Sequence, residues 1–186
     1  MGAVTLTERE SELLAVTLQL LQQNGFEGLT VEEVAATAHA SKATVYRRWP
    51  TKAELVLAAV MHGMNQAAIA PATGSLRGDL LEIGETIAGQ ARTHATTMRA
   101  VLVEASRNPA LNAVMQHQFA QRKEVINQVL SQAVDRGEIS ADAVNDDLWD
   151  LLPGYLVFRA VIQNRPATRR TIEALVDDVI LPSLTG

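Results

Sequence analysis

Three helix-start signals lie within the first 54 residues and restrict what this part of the chain can fold into. The segments Thr7–Glu10, Thr30–Glu33 and Thr51–Glu54 each place a glutamate three positions after a threonine. In such a capping box the threonine hydroxyl accepts a hydrogen bond from the first helical turn, and the glutamate accepts one from the threonine amide. The alternation that marks a half-buried strand is absent. We therefore expect a chain built from helices.

Glycine and proline divide the sequence into about nine helical segments. Asn24-Gly25 is expected to end the first helix, and Pro50 to end the third. The expected helices of the N-terminal part cover 8–23, 31–38, 42–48 and 52–68. After a linker at 71–74, the expected segments cover 76–93, 96–107, 109–136, 142–164 and 169–184. Pro153 lies within the fourth of these and predicts a kink or a break there.

Composition excludes several classes of protein. The chain has 186 residues, 47% hydrophobic and 20% charged, so it can bury a core and is not expected to be disordered. It has no cysteine, which excludes disulfides, cysteine-ligated zinc and thiol catalysis. Neither a signal-peptide pattern nor an apolar run near the ~18 residues that span a bilayer is present. We therefore expect a cytoplasmic protein without a membrane partner.

The distribution of charge matters more than its total. The formal net charge is −5, which by itself argues against binding to nucleic acid. Within residues 1–53, however, four of the five basic side chains fall between positions 42 and 52, a stretch without an acidic residue. Because phosphate affinity depends on local charge, this stretch is a candidate nucleic-acid contact.

The basic stretch coincides with the second of two short helices joined by a tight turn, at 31–38 and 42–48. Small side chains at Ala35 and Ala38 allow the two helices to cross closely, and Val45 anchors the second one. The side chains left facing solvent are mostly small, hydroxylated or basic, which suits a DNA major groove. They are Lys42, Ala43, Thr44, Tyr46, Arg47 and Arg48. The pattern predicts a helix-turn-helix DNA reader.

The same residues carry a family resemblance. The run from Leu29 to Leu55, with Tyr46-Arg47-Arg48-Trp49-Pro50-Thr51-Lys52 following the turn, resembles the DNA-binding region of the tetracycline-repressor (TetR) family. Gly25–Gly28 resembles the usual entry to that region. More weakly, residues 136–138 and 154–159 resemble the ligand domain of one branch of the family.

The resemblance implies an all-α fold in two domains. A three-helix helix-turn-helix DNA-binding domain is expected at 1–53. A helical effector-binding and dimerisation domain is expected at 54–186. The implied partners are double-stranded operator DNA, a small-molecule effector and a second copy of the chain.

The resemblance also assigns roles to individual residues. The implied DNA-binding residues are Thr30, Ser41, Lys42, Ala43, Thr44, Tyr46, Arg47 and Lys52. Thr44 and Arg47 are expected to read base edges, and Ala43 to touch a thymine methyl group. Phosphates are expected to be bound by Thr30, Lys42, Tyr46 and Lys52, while Ser41 caps the reading helix.

Two departures from the family pattern stand out. His39 occupies the turn position where the family usually has glycine, and a left-handed backbone is expected there with some strain. The N-terminal arm is poorly basic, so only Arg9 is expected to add a phosphate contact. Trp49 is expected to pack at the junction with the following helix.

Methionine and aromatic side chains of the second domain suit an adaptable apolar pocket, although ordinary core is the alternative for each of them. The candidates are Met61, Met64, Ile83, Ile87, Met98, Leu102, Met115, Phe119, Trp149, Leu152, Tyr155 and Phe158. Such a lining favours an apolar or aromatic effector. Its polar end has four candidate partners, among which the sequence does not select: Arg99, Glu104, Gln118 and Arg122.

Apolar side chains on the last two helical segments exceed the needs of one core and predict a four-helix dimer interface. The chosen contacts are Leu148, Leu156, Ile172, Leu175 and Val179. We therefore expect a dimeric repressor that binds a palindromic operator and is released by its effector. The alternative is a regulator of the same fold that activates transcription or responds to a protein partner, without a small ligand.

Catalysis, metals and cofactors find no support in the sequence. The four histidines lack the i, i+4 spacing of helical metal ligands. Asp79, His94 and Ser106 can be written as a triad, but neither a nucleophile elbow nor an oxyanion loop accompanies them. We therefore expect a protein that is not an enzyme and uses no cofactor.

Overall fold

The computed structural model describes residues 6–65, 70–144 and 146–185. The side chains at 64, 65, 118, 121, 146–149 and 185 lie outside this description. Over the described ranges the chain forms helices and connecting turns, without a strand. The all-α prediction is therefore confirmed. None of the described helices is both long and apolar enough to cross a membrane.

The elements follow the chain in simple order. They are α1 (Glu8–Gly28), α2 (Val31–Thr37), α3 (Lys42–Arg48), α4 (Lys52–Asn65), α5 (Leu76–Ala105), α6 (Pro109–Asp135), a 3₁₀ turn (Ala141–Ala143), α7 (Asp146–Val157), α8 (Arg169–Leu175) and α9 (Leu181–Thr185). A π-helical turn, Phe158–Ile162, extends α7, and another, Val176–Ile180, joins α8 to α9.

The capping residues act largely as the sequence indicates. Thr7 and Glu10 form the full reciprocal box, with the Thr7 amide donating to the Glu10 carboxylate at 2.8 Å. Thr30 accepts from the amide of Glu33 at 3.2 Å. The Glu33 carboxylate instead accepts from Nδ2 of Asn24 at 3.1 Å. The reciprocal half of the expected box at Thr30 is therefore replaced by a contact with α1.

Two expected interruptions do not occur. The segments 76–93 and 96–107 form the single helix α5, because neither proline nor glycine separates them. Helix α7 also continues through Pro153, and the departure from α-helical bonding comes five residues later, at the π-helical turn. Leu152 and Leu156 are both buried on either side of the proline and hold the helix against the core.

The chain divides into two compact units, which we describe separately. The first unit comprises Met1–Ala67 with Arg99–His117, and the second comprises Ala68–Met98 with Gln118–Gly186. Helices α5 and α6 thus contribute to both units. The functional boundary between residues 53 and 54 remains a prediction.

The core of the first unit fixes the helix-turn-helix. Val34 of α2 and Val45 of α3 are fully buried, and Ala35 and Ala38 are buried beside them. Trp49, directly after α3, is also buried in this core, as expected. Burying each large apolar side chain contributes about 1.5–3 kcal/mol, so these contacts fix the orientation of α3.

A charged network closes one end of the second unit. Asp79 is fully buried and accepts from both the amide and the hydroxyl of Thr73 at 2.7 Å. Arg136 donates to Asp79 at 3.3 Å and also to Glu138. Glu138 accepts in turn from the amide of Leu76 at 2.7 Å, and this backbone hydrogen bond is the main reason that its pKa is lowered. The network connects the end of α6 to the start of α5.

Candidate nucleic-acid interface

Helix α3 presents one continuous exposed face. Lys42, Ala43, Tyr46 and Arg47 are exposed, whereas Val45 is buried. At about 100° per residue these four side chains occupy a sector of roughly 140°. The helix therefore offers a small residue flanked by hydroxyl and basic groups on the side opposite its core contact.

Arg47 and Tyr46 are available for an external partner. Among the described residues, neither side chain has a hydrogen bond or an ion pair, and Tyr46 is 42% exposed. Arg48 differs, because its Nε lies 2.7 Å from the Glu10 carboxylate of α1. Arg48 was expected on the solvent face of α3, and this ion pair directs it toward α1.

Lys42 already has an acidic partner within the chain. Its Nζ lies 2.7 Å from the carboxylate of Glu32 on α2, and both side chains are more than half exposed. The hydrogen bond from Lys42 is the main cause of a lowered Glu32 pKa. A phosphate that binds Lys42 must therefore compete with Glu32.

The two hydroxyl residues of α3 bond to each other. Ser41 caps the helix by accepting from the amide of Thr44 at 3.1 Å, as expected. The two hydroxyl oxygens lie 2.8 Å apart, and Thr44 is half-buried. Either hydroxyl can be the donor of this bond, so Thr44 keeps hydrogen-bonding capacity for a base, and its base-reading role remains a prediction.

The turn between α2 and α3 adopts the left-handed backbone expected at His39, with a φ of 50°. The amide of Ala40 donates to the carbonyl of Ala35 at 2.8 Å, and that of His39 to the carbonyl of Ala36 at 3.1 Å. This is the Schellman arrangement that usually places glycine at the left-handed position. A histidine there carries a conformational cost of about 1 kcal/mol or more.

Arg9 holds this turn, which sequence reasoning missed. Its Nη2 donates to the carbonyl of His39 at 2.8 Å and to that of Ala38, while Nη1 pairs with Glu12 at 2.7 Å. Arg9 was expected to contact phosphate, but its guanidinium instead satisfies carbonyls at the end of α2. The sequence could not predict this bond, because the type of a residue does not indicate a hydrogen bond to a backbone carbonyl about thirty positions away.

Lys52 is also engaged within the chain. Its Nζ donates to the carbonyl of Leu29 at 3.1 Å and to that of Glu27 at 3.4 Å. It also lies 4.6 Å from the centroid of the Phe26 ring. These contacts stabilise the end of α1, and the phosphate role of Lys52 remains a prediction. Thr30 is exposed at the start of α2, where a phosphate contact is equally untested.

The residues expected to line one pocket are divided between the cores of the two units. Met61, Leu102 and Met115 belong to the first core or pack against it, whereas Ile83, Ile87 and Leu152 belong to the second. Met98 is half-buried, and the Met64 and Trp149 side chains lie outside the described residues. Phe119, Tyr155 and Phe158 are 45%, 40% and 49% exposed. These three side chains do not line a closed cavity, and their assignment to an effector pocket stays a prediction.

The expected dimer contacts need revision too. Leu156 and Ile172 are buried in the second core and cannot offer a contact surface, so both assignments are corrected. Leu175 is half-buried, Val179 is 43% exposed, and the Leu148 side chain lies outside the described part of the chain. The exposed apolar side chains of this region instead follow one face of α7 and its π-helical turn. They are Leu151, Tyr155, Phe158 and Ile162.

Comparison with known proteins places this geometry in a family. Residues 13–59 match the family described as bacterial regulatory proteins, tetR family. Residues 70–179 match the family described as tetracyclin repressor-like, C-terminal domain. Together the two matches cover the helix-turn-helix and most of the second half of the chain.

Similar proteins agree with these matches. An HTH-type transcriptional regulator of Mycobacterium tuberculosis is 66% identical over 178 residues, covering 95% of this chain and 88% of the relative. A DNA-binding transcriptional repressor TetR of Mycobacteroides abscessus is 34% identical, covering 93% of this chain and 92% of the relative. The crystal structure of the TetR family transcription regulator SCO0332 aligns with a TM-score of 0.84 at 27% identity, covering 97% and 100% of the two chains. The chain belongs to the TetR family of DNA-binding transcriptional regulators.

Proposed function

We propose that this regulator is a dimeric repressor that reads a palindromic operator with α3 and is released by a small molecule. The observation that carries the proposal is the exposed face of α3, on which Tyr46 and Arg47 have no described partner while Val45 anchors the helix. An exposed, unpaired guanidinium beside small and hydroxyl side chains suits a major groove. A reader of this kind acts in the cytoplasm.

Each side chain of this face has a proposed role. Arg47 donates to the edge of a guanine, which presents two acceptors in the major groove. Ala43 allows close approach to a thymine methyl group, and Thr44 reads a neighbouring base. Lys42 and Tyr46 bind phosphates and set the register of the helix on the duplex. Thr30 and Lys52 contribute phosphate contacts at the margins.

The apolar face of α7 supports the dimeric state. Leu151, Tyr155, Phe158 and Ile162 recur at spacings of three and four residues, so they form one stripe. Val179 adds apolar surface after α8. Pairing across a two-fold axis would cover both contributions in a four-helix interface. The dimer would present two α3 helices about 34–36 Å apart to successive turns of DNA.

The effector acts by changing the spacing of the two α3 helices. Coupling of about 1–3 kcal/mol would change operator affinity about 5- to 150-fold. The same coupling is reciprocal, so operator must weaken effector binding by an equal factor. Repression as the direction of control is supported by the Mycobacteroides abscessus relative, which is named a DNA-binding transcriptional repressor. Activation, or control by a protein partner without a small ligand, is the second candidate.

The test is binding of the purified protein to duplex fragments of its own upstream region at two salt concentrations. Selective binding with a steep salt dependence would support the proposal, since neutralised phosphates release counterions. Failure of every upstream fragment to compete better than unrelated DNA would contradict it.

Arg47→Ala and Arg48→Ala form a matched pair for the reading role. Both remove one positive charge from α3, but only Arg47 is free of an ion pair among the described residues. We expect Arg47→Ala to cost about 1–3 kcal/mol against the operator and to reduce discrimination at one base pair. Equal weakening of operator and unrelated DNA by both variants would remove Arg47 as a base reader.

A further inference from the structure

Arg122 of α6 lies in the second unit with part of its guanidinium buried and unpaired. Nε and Nη2 are both buried, and no described residue forms a hydrogen bond with either. Two other arginines of this unit are paired: Arg77 with Asp177 at 2.7 Å, and Arg136 with Asp79 and Glu138. Arg159 also has a buried Nε without a described partner, but its Nη1 donates to the hydroxyl of Tyr155 at 3.3 Å. A buried charged donor without an acceptor costs several kcal/mol, so an unpaired one invites an external partner.

The helical register places Arg122 on the inward face of α6. Ile126, Val129 and Ala133 follow it by 4, 7 and 11 positions, and therefore share its face. Val129 and Ala133 are fully buried in the second core, and Ile126 packs against that core. Arg122 therefore lies on the apolar face of α6, and a charged side chain is not expected at such a position.

The surroundings favour a ligand that is mostly apolar. The same core takes Ile83 and Ala88 from α5, with Ile87 packed against it. Burial lowers the pKa of Arg122 from its usual value, in agreement with poor access of water to the guanidinium. Arginine nonetheless keeps its charge in proteins, and an anion binds a poorly solvated guanidinium more strongly than a neutral acceptor does.

We propose that Arg122 binds the carboxylate of an otherwise apolar organic acid, which is the effector of this regulator. The planar guanidinium presents Nε and Nη2 side by side and matches the two oxygens of a carboxylate. This inference rests on the proposed effector-binding function and narrows the effector from any apolar molecule to an apolar acid.

The experiment measures the melting temperature and ligand affinity of the full chain with matched probes. Decanoate and 2-naphthoate carry the carboxylate, and decanol and 2-naphthol are their neutral counterparts. We expect both acids to raise the melting temperature well above the effect of the alcohols. Inorganic phosphate, which has the charge without the apolar part, is expected to cause no shift. Absence of a shift with both acids, or an equal shift with phosphate, would overturn the proposal.

Arg122→Met tests the residue, and Arg92→Met is the matched control on an exposed position of α5. Methionine keeps much of the length of the side chain without its charge. We expect Arg122→Met to weaken decanoate binding about ten- to a hundredfold and Arg92→Met to leave it unchanged. The ligand-free Arg122→Met variant should melt no lower than the wild type. A fall of several degrees would show an internal partner for Arg122 and would count against the effector site, as would unchanged affinity.

The inference and the proposed function fail separately. Operator binding without any carboxylate shift would leave the DNA reader intact and remove the acid site. A carboxylate shift that depends on Arg122, in a protein that recognises no operator, would keep the site and remove the repressor.

Discussion

The two compact units treat their basic side chains in opposite ways. In the first unit Arg9 and Lys52 are satisfied by backbone carbonyls and Arg48 by a carboxylate, whereas Arg47 is exposed to water and has no partner among the described residues. In the second unit two nitrogens of the Arg122 guanidinium are buried and have no partner among the described residues, and Nε of Arg159 is in the same state. Water solvates an unpaired cation on a surface but not in a core. Arg47, the proposed base reader, is therefore solvated in the absence of DNA, whereas the buried nitrogens of Arg122 carry a free-energy penalty in the absence of a ligand.

The largest expected effect tests whether the paired charges of the second unit support its fold. Asp79→Ala removes the acceptor of the Thr73 amide, one acceptor of the Thr73 hydroxyl and one of the two carboxylates that Arg136 contacts. We expect a loss of about 3 kcal/mol in the free energy of unfolding. That corresponds to a fall of roughly 6–12 °C in melting temperature, measured by calorimetry.

Asp177→Ala is the control for Asp79. Asp177 pairs with Arg77 at 2.7 Å, but both side chains are at least a third exposed. An exposed pair contributes about 0–1 kcal/mol. Equal losses of stability in the two variants would mean that burial does not distinguish these charges. The contrast between buried and exposed charged groups would then have no basis.

A second prediction separates the two uses of cations within the first unit. Arg9→Gln removes the donor to the turn carbonyls and should cost about 1 kcal/mol of stability while leaving the salt dependence of operator binding unchanged. Lys42→Gln should leave stability nearly unchanged and reduce the magnitude of the salt slope by about one. Urea denaturation and binding titrations at several salt concentrations provide the two readouts. If Arg9→Gln reduced the salt dependence of operator binding, Arg9 would have to be counted among the residues that contact phosphate.

The smallest expected effect concerns the strained turn of the first unit. His39→Gly removes a side chain from a left-handed backbone and should raise stability by about 1 kcal/mol, or about 2–4 °C in melting temperature. Asn164→Gly is the control, because Asn164 has a similar φ of 53° but asparagine tolerates this conformation better. A larger gain at Asn164 than at His39 would contradict the assignment of strain to the histidine.

Local signals explain which parts of the fold could be predicted. Helices α2 and α3 end within a residue of their expected bounds, because Thr30, Ser41 and Pro50 mark those ends in the sequence. The buried anchor Val45 followed from the same motif. Cap and turn chemistry involves neighbouring residues, so one sequence contains all the information that it requires.

Contacts between distant residues explain the rest. The residues next to Arg9 and Lys52 in the sequence do not predict their hydrogen bonds to carbonyls more than twenty positions away. Around α7 the apolar residues run almost without interruption, so helical periodicity could not separate the buried Leu156 from the exposed Tyr155. Arg122 was one of four candidate polar partners, and only burial singles it out.

The ion pair between Lys42 and Glu32 has a consequence for how a reader of the proposed kind searches a genome. In such a reader every non-operator stretch of DNA would offer phosphates to Lys42, and each contact would require the displacement of Glu32. This shortens residence on the many competing sites, whereas base contacts by Arg47 at the operator more than offset the cost. In the proposed reader Glu32 would therefore weaken indiscriminate binding, and the protein would spend less of its search time on non-operator DNA.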